Sequence, residues 1–412
     1  MTTQAGPVTD TAADELFKSV FTAPPDDPYP AYKRLREAAP VLRSGDGALV
    51  LSRFADCDAA LRHRAFGKGE EQLGFGMAAE IGEEVRKARQ RYGRTMLITN
   101  PPEHTRLRRA VSAAFTNRHV EELRPQIARR ADELLAGLAE RPGADFLEGL
   151  ALPLPVNVIS DLLGVPEGNR EPFTGRVRRM LAMMEPDEGM DGFREAMRAR
   201  EELGDYFGEL LEAKGADPGD DLLSRLATAP EGERLTRDEM ISTALLLFTA
   251  GFVTTTNLLG NAVSALFAHP EQEAALRADP GLVPSAVEEF LRFDSPVQID
   301  LRAVLEETDF AGTRMRPGEV VVTVIGAANH DPAIADDPDS LDVRREAPAH
   351  LSFASGVHFC LGAHLARVEA QVVLERLYSP AYRSLQPAGS PVRAPALALR
   401  GFKHLPVTLT RA

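Results

Sequence analysis

Cysteine is nearly absent: Cys57 and Cys360 are the only two in 412 residues. Two thiols so far apart in the chain exclude a disulfide framework, an all-cysteine zinc site and an iron–sulfur cluster. Positive charge is also short. Lysine and arginine number 47 against 61 aspartates and glutamates, a formal net charge of −14. That balance excludes nonspecific affinity for nucleic acid or an anionic membrane. The opening residues, Met1 to Pro7, lack a basic segment followed by an apolar one, so no leader is expected. No uninterrupted apolar run of about 18 residues occurs. The expectation is a cytoplasmic protein without a membrane span.

What is present is ordinary for a soluble globular chain: 44% hydrophobic and 26% charged residues, enough for a sizeable core. Residues 1–27, polar and rich in Pro, Thr and Asp, read as a loose arm. A helix is expected over 28–37, short strands over 40–43 and 48–52 around a turn at 44–47, and a short helix over 56–62. Residues 66–69 and 74–77 read as flexible, and 79–90 as helix. From 117 to 215 the chain is strongly helical, with breaks at Pro142-Gly143, Pro153 and Pro166. Met180, Met183, Met184 and Met190 cluster there. Helical methionines are more often core than ligand contact.

One stretch concentrates unusual features: Phe353-Ala354-Ser355-Gly356-Val357-His358-Phe359-Cys360-Leu361-Gly362, then an apolar run through Arg367. Glycine on both sides of the cysteine lets the backbone turn tightly and approach something flat and bulky. A helix behind it would aim its dipole and free N–H groups at the sulfur, favouring thiolate, the metal-binding form. A lone cysteine in an apolar segment is usually a small buried hydrophobe, and Cys57, between Asp56 and Asp58, reads that way. Cys360 does not. Phe at minus seven, Gly at minus four, His at minus two and Gly at plus two together resemble the haem-binding loop of the cytochromes P450. The resemblance implies Cys360 as the axial thiolate ligand of iron in a b-type haem, with Phe353, Gly356 and Gly362 shaping the loop. It also implies that His358, which alone would read equally as structural, donates to a haem propionate.

Further stretches carry the same resemblance. In Asn100-Pro101-Pro102-Glu103-His104 the prolines start a helix, and His104 and Arg108 at i and i+4 share one face. Alone they would be a surface pair; the resemblance puts both on the propionates, with Arg302 as a further propionate arginine. Thr236 and Glu239 form a capping box that opens the longest helix. Its run from 241 to 267 is apolar nearly all round, the mark of a buried central helix. Ala250, Gly251 and Thr254 resemble the family's oxygen-binding segment. Small residues there permit close approach of haem and O2, and a threonine can bond the preceding turn and bend the helix. Many family members have an acid just before that threonine; here it is Val253, which cannot transfer a proton. Ordered water with Thr254, a polar group on the substrate, or a reaction needing less proton delivery are the three ways around this. Glu289 and Arg292 match the family's E-x-x-R, an i, i+3 pair in apolar surroundings that points to burial rather than a solvated pair. The usual third partner, a later arginine, is absent from its place, leaving Arg344 or Arg345 as substitutes.

The resemblance covers nearly the whole chain. It implies a mostly α fold with small β-sheets, the P450 fold, a triangular helical prism with haem between its I and L helices, as one domain over 1–412. Residues 151–166, 172–185 and 192–212 resemble the E, F and G helices. A strand over 296–302 would face substrate on alternate positions, and 399–407 resembles the terminal hairpin that closes the pocket. Leu246, Leu247, Val253, Val297, Ile299 and Phe402 are the expected substrate-facing residues.

The implied activity is a monooxygenase that uses O2 and two electrons to hydroxylate or epoxidise a bulky secondary metabolite, polyketide- or macrolide-like. The alternative is oxidative coupling or another oxidation without net oxygen insertion. With no reductase domain expected in this length, electrons would come from a ferredoxin and its reductase. Arg109 and Arg367 are candidates to meet an acidic ferredoxin surface, and a monomer is expected.

Overall fold

Residue alternation decides how the first sheet is built. The computed structural model describes residues 11–22, 26–69, 93–169, 175–176, 179–180, 189–232, 234–394 and 398–412. The helix expected over 79–90, most of 172–185, and Met183 and Met184 lie outside them. The chain falls into two compact units. The first gathers the N-terminal part, residues 257–360 and 391–403; the second gathers 77–256, 361–390 and 404–412.

In the first unit five strands are ordered Val41–Arg43, Leu49–Leu51, Val320–Val324, Ile299–Val304, Phe66–Gly67. Leu49–Leu51 and Val320–Val324 run parallel, and the other pairs are antiparallel. Side chains alternate across the sheet with period two. Leu42, Val50, Val322 and Val324 pack with Ala13, Phe17, Val20, Tyr32 and Leu35 on one face. Val41, Leu49, Leu51, Val321 and Val304 pack with Cys57, Ala60, Leu61 and Met315 on the other. Both faces are covered, which is why these strands read as runs of Val and Leu. Cys57 is fully buried and burial pushes its thiol pKa well up, as a structural cysteine requires.

Three expectations are corrected in this unit. The arm expected to be loose contains the helix Thr11–Thr22, whose Ala13, Phe17 and Val20 enter the core because they recur at helical spacing. Residues 66–67, expected to be flexible, are a strand paired with Ile299–Val304. The stretch 399–407 is not one hairpin. Phe402–His404 pairs with Val392–Arg393, whereas Pro406–Arg411 joins a sheet of the second unit.

The second unit is helical: Glu103–Ser112, Asn117–Ala139, Pro153–Leu163, Gly189–Ala216, Leu222–Ala227, the first part of Arg237–Ala268, and Ala363–Leu377. A three-stranded sheet, ordered Ala144–Asp145, Pro406–Arg411, Tyr382–Pro387, closes it. Asn117–Ala139 packs along Ala363–Leu377, and Arg124 bonds Gln371 across that contact at 2.7 Å. The capping box forms as expected: Glu239 N donates to Thr236 Oγ1 at 3.2 Å, and Thr236 N donates to Glu239 Oε2 at 2.8 Å. Arg237–Ala268 is the one helix among the described residues long and apolar enough to cross a membrane. Counting uninterrupted apolar runs did not anticipate this. Most of its apolar window is buried in the protein, which is how a core helix meets the same test.

Candidate functional site

The cysteine loop is built from backbone turns and held by a buried ionic knot. Cys360 N donates to Phe353 O at 2.9 Å and Phe359 N to Gly356 O at 3.1 Å. Gly356 takes φ +72°, and a Cβ there would lie 2.6 Å from the Leu61 carbonyl oxygen and 3.2 Å from the Arg62 Cα. Those are backbone atoms, so only glycine fits. Gly362 is different. Its φ of −86° is ordinary and nothing lies within 4 Å of its Cβ position, so no tight turn demands glycine there. Behind the loop, Ser352 Oγ donates to Leu291 O at 2.6 Å, Asn329 Nδ2 to Ser352 Oγ at 2.9 Å, and Leu351 N to Asn329 Oδ1 at 2.8 Å.

Those bonds tie the loop to the helix Val283–Phe293, whose Glu289 and Arg292 side chains are fully buried. Arg292 donates to both Glu289 oxygens, at 2.8 and 2.7 Å, and to the carbonyls of Asn329, Pro338 and Ser340. Of the two candidate third partners, Arg345 is the one that arrives, with Nε 3.2 Å from Glu289 Oε2. Arg344 stays exposed.

Cys360 is exposed at the end of this loop, beside the exposed Val357 and Phe359. The helix Ala363–Leu377 starts three residues after it in the chain. His358 is the last residue of the turn Gly356–His358. Ser355 is buried with no hydrogen-bond partner for its hydroxyl.

Arg302 is the informative group. Its side chain is 1% exposed, and among the described residues none of its three guanidinium nitrogens finds a hydrogen-bond partner. Asp300 Oδ1 lies 3.0 Å from Nε but is not aligned to accept. Lys68 approaches the same carboxylate at 3.3 and 3.4 Å and donates to Leu301 O at 2.9 Å. Burial pulls the Lys68 pKa down to about 8, and the Asp300 charge opposes that. A buried, unsatisfied guanidinium with one further cation and a single anion beside it suits an added carboxylate. These residues therefore fit a haem propionate.

The other expected positions of this unit divide. Val297 is half-buried and bridges to Leu399. Ile299 is half-buried and packs against the sheet's core cluster, so alternation turns Asp300 and Arg302 to the opposite side. Phe402 is buried with the Arg393 guanidinium 3.8 Å over its ring, a cation–π contact that uses one face.

In the second unit, the helix Glu103–Ser112 buries His104 and leaves Arg108 half-buried one turn on. Arg106, on the outer side, pairs with Glu103 and with Glu239. Burial raises the Glu239 pKa, but bonds from Arg106 and the Thr236 N–H outweigh that and hold it below the ordinary range. Along Arg237–Ala268, Ala250 is exposed, Leu246, Gly251, Val253 and Thr254 are half-buried, and Leu247 is buried. Thr254 Oγ1 donates to Ala250 O at 3.1 Å, and Thr255 and Thr256 repeat the pattern to Gly251 O and Phe252 O. With its proton so engaged, the Thr254 oxygen is left as an acceptor. Two charged residues escaped sequence reasoning. Lys68 gave no local signal. Glu369 did: it interrupts an apolar run in Ala363–Leu377, is buried, and burial raises its pKa to about 8.

The family model described as "Cytochrome P450" matches residues 281–380, which include the ionic knot and the cysteine loop. Cytochrome P450 107B1 of Saccharopolyspora erythraea is 39% identical, covering 92% of this chain and 95% of that one. The vitamin D(3) 25-hydroxylase of Pseudonocardia autotrophica is 38% identical over 97% and 98%. The 6-deoxyerythronolide B hydroxylase of S. erythraea is 36% identical over 93% and 96%. Among solved structures, the cytochrome P450 enzyme CxnD, for C–S bond formation in chuangxinmycin biosynthesis, superposes with TM-score 0.83 at 30% identity. It covers 94% of this chain and 96% of its own.

The fold is therefore that of the haem-thiolate oxygenases, mostly α with small β-sheets. The chain belongs to the cytochrome P450 family, in its bacterial branch. It is a monooxygenase whose haem iron is held by a cysteine thiolate, acting on small molecules with O2 and electrons from redox partners.

Proposed function

We propose that Cys360 is the iron ligand and that the enzyme hydroxylates or epoxidises a bulky secondary metabolite of polyketide or macrolide type. The observation that carries the ligand assignment is the contrast between the two cysteines. Cys57 is sealed in the core, whereas Cys360 is exposed at the end of a loop fixed by Gly356 and the Glu289–Arg292 knot. The substrate reading is supported by relatives that hydroxylate large, mostly apolar molecules, 6-deoxyerythronolide B and vitamin D(3). The chain acts as one P450 domain in this reading.

When bound, haem supplies O2 activation with two electrons. The protein's own residues hold it and manage protons. Arg302, His358, His104 and Arg108 take the propionates, each a charged or N–H donor to a carboxylate. Ala250 and Gly251 keep the adjoining helix surface low. Thr254 accepts a hydrogen bond and holds a proton-bearing group in place, because Val253 cannot.

Ferredoxin and its reductase are the proposed electron donors, and Arg109, which is exposed, and Arg367 are the proposed cationic contacts. Turnover with ferredoxin should weaken as salt screens them; a flat response across a salt titration contradicts that docking mode. Location in the cytoplasm and a monomeric state complete the proposal.

Val253 favours a second reading, oxidative coupling or another oxidation without net oxygen insertion, and the similarity to CxnD, an enzyme for C–S bond formation, supports keeping it. A spectral screen of candidate metabolites for displacement of iron-bound water, followed by product mass, tests both. Gain of one oxygen supports hydroxylation or epoxidation. Loss of hydrogen without oxygen supports coupling.

A further inference from the structure

Lys68 follows the two-residue strand Phe66–Gly67, which pairs Phe66 with Val304 and Gly67 with Ala303. The register continues to place Lys68 opposite Arg302. Its ammonium is 7% exposed, donates to Leu301 O at 2.9 Å, and reaches both Asp300 oxygens. Arg302, 1% exposed, sits 3.0 Å from one of the same oxygens, with no aligned bond. Two cations thus share one anion. Left alone with Asp300, the Arg302 fork would close on it as a bidentate, neutral pair, the preferred geometry of guanidinium and carboxylate. It does not close: Nε lies 3.0 Å from one oxygen without an aligned bond, whereas the aligned bonds to Asp300, at 3.3 and 3.4 Å, come from the lysine.

We infer that Lys68 is a positioning residue for the cofactor: by engaging Asp300 it keeps Arg302 available to a haem carboxylate. The inference rests on the reading of Arg302 as a propionate holder and adds the group that decides whether that arginine is available. It assigns Asp300 a definite part as well. Asp300 competes for Arg302 when Lys68 is missing, so Lys68 acts through Asp300 rather than by touching haem. The other charges near this strand are engaged elsewhere among the described residues: Arg64 approaches Glu306 at 3.8 Å, and the His63 ring lies against Phe66.

The test uses the haem-loaded enzyme in five forms: wild type, Lys68→Met, Asp300→Asn, Lys68→Met with Asp300→Asn, and Arg302→Gln. The readouts are the rate of haem transfer to apomyoglobin and the reduction potential of the iron. Lys68→Met is expected to release haem about tenfold faster, the effect of one lost charge-assisted contact, with a more negative potential. Adding Asp300→Asn removes the competitor, and release should return to within about twofold of wild type. A lysine that merely braces the strand would show no such rescue. Wild-type release from Lys68→Met, or release from the double variant as fast as from Lys68→Met, overturns the inference. If Lys68→Met yields no folded protein, Lys68→Gln, which keeps a donor for Leu301 O, takes its place with the same expectations. Wild-type release from Arg302→Gln overturns the propionate reading itself. Fast release from that variant with no effect of Lys68→Met overturns the lysine's part alone.

Discussion

Two of the triads in the first unit share one arrangement, two cations on one carboxylate, and they are finished differently. In Glu289–Arg292–Arg345 every carboxylate oxygen and each Arg292 nitrogen has a partner, several of them backbone carbonyls. In Asp300–Lys68–Arg302 the arginine nitrogens have none. Two clusters with the same count of charges therefore carry opposite messages. The satisfied one fixes the chain, tying the helix Val283–Phe293 through Ser352 and Asn329 to the cysteine loop. In the proposed reading the unsatisfied one receives a carboxylate brought in from outside. Full satisfaction marks a structural network, and a buried orphan donor marks a ligand site.

The comparison can be broken most forcefully at Arg292. Arg292→Met leaves Glu289 in the core without its main partner and should destabilise the enzyme by about 3–5 kcal/mol in chemical unfolding. A loss under about 1 kcal/mol would remove the distinction between the triads. Gly356→Ala comes next. Its φ of +72° and the clash with Leu61 O should cost about 1–3 kcal/mol and speed haem loss, since the loop itself must shift.

Glu369 sharpens the comparison in the second unit, as a buried carboxyl whose Oε2 has no hydrogen-bond partner. Its pKa rises from 4.5 to about 8 in the fold because burial disfavours the charge. Below the ordinary value the group is neutral folded or unfolded. Between the two values only the folded state keeps the proton, so stability falls as pH rises, by about 1.4 kcal/mol per pH unit at most. Glu369→Gln should flatten that slope in unfolding measured from pH 5 to 8; an unchanged slope places the titration elsewhere. The smallest effect is expected at Arg345, partly exposed and only the third member of its triad. Arg345→Gln should cost about 1 kcal/mol, read by the same unfolding assay.

Much of this was legible in the sequence where the evidence is local. The Glu289–Arg292 spacing, the capping box at Thr236 and the long apolar helix are each written in neighbouring residues, and each forms as read. What escaped depends on register between strands far apart in the chain. Only the pairing of Gly67 with Ala303 brings Lys68 to Asp300 and Arg302, so a stretch that reads as flexible hides a charged contact. The same sheet packs Ile299 and Leu301 against one core cluster and turns Asp300 and Arg302 the other way. The terminal stretch looked like one hairpin because turn residues mark a reversal without saying which sheet each arm joins. Thr11–Thr22 shows a further gap: three small or apolar side chains at helical spacing are enough to dock a segment whose composition reads as loose.

The central claim is that the sulfur of Cys360 holds the iron. Reduced enzyme under carbon monoxide should absorb at the wavelength typical of sulfur-ligated haem, and Cys360→Ser should lose that band while Cys57→Ser keeps it. Retention of the band by Cys360→Ser, or its absence from the wild-type enzyme, would contradict the account.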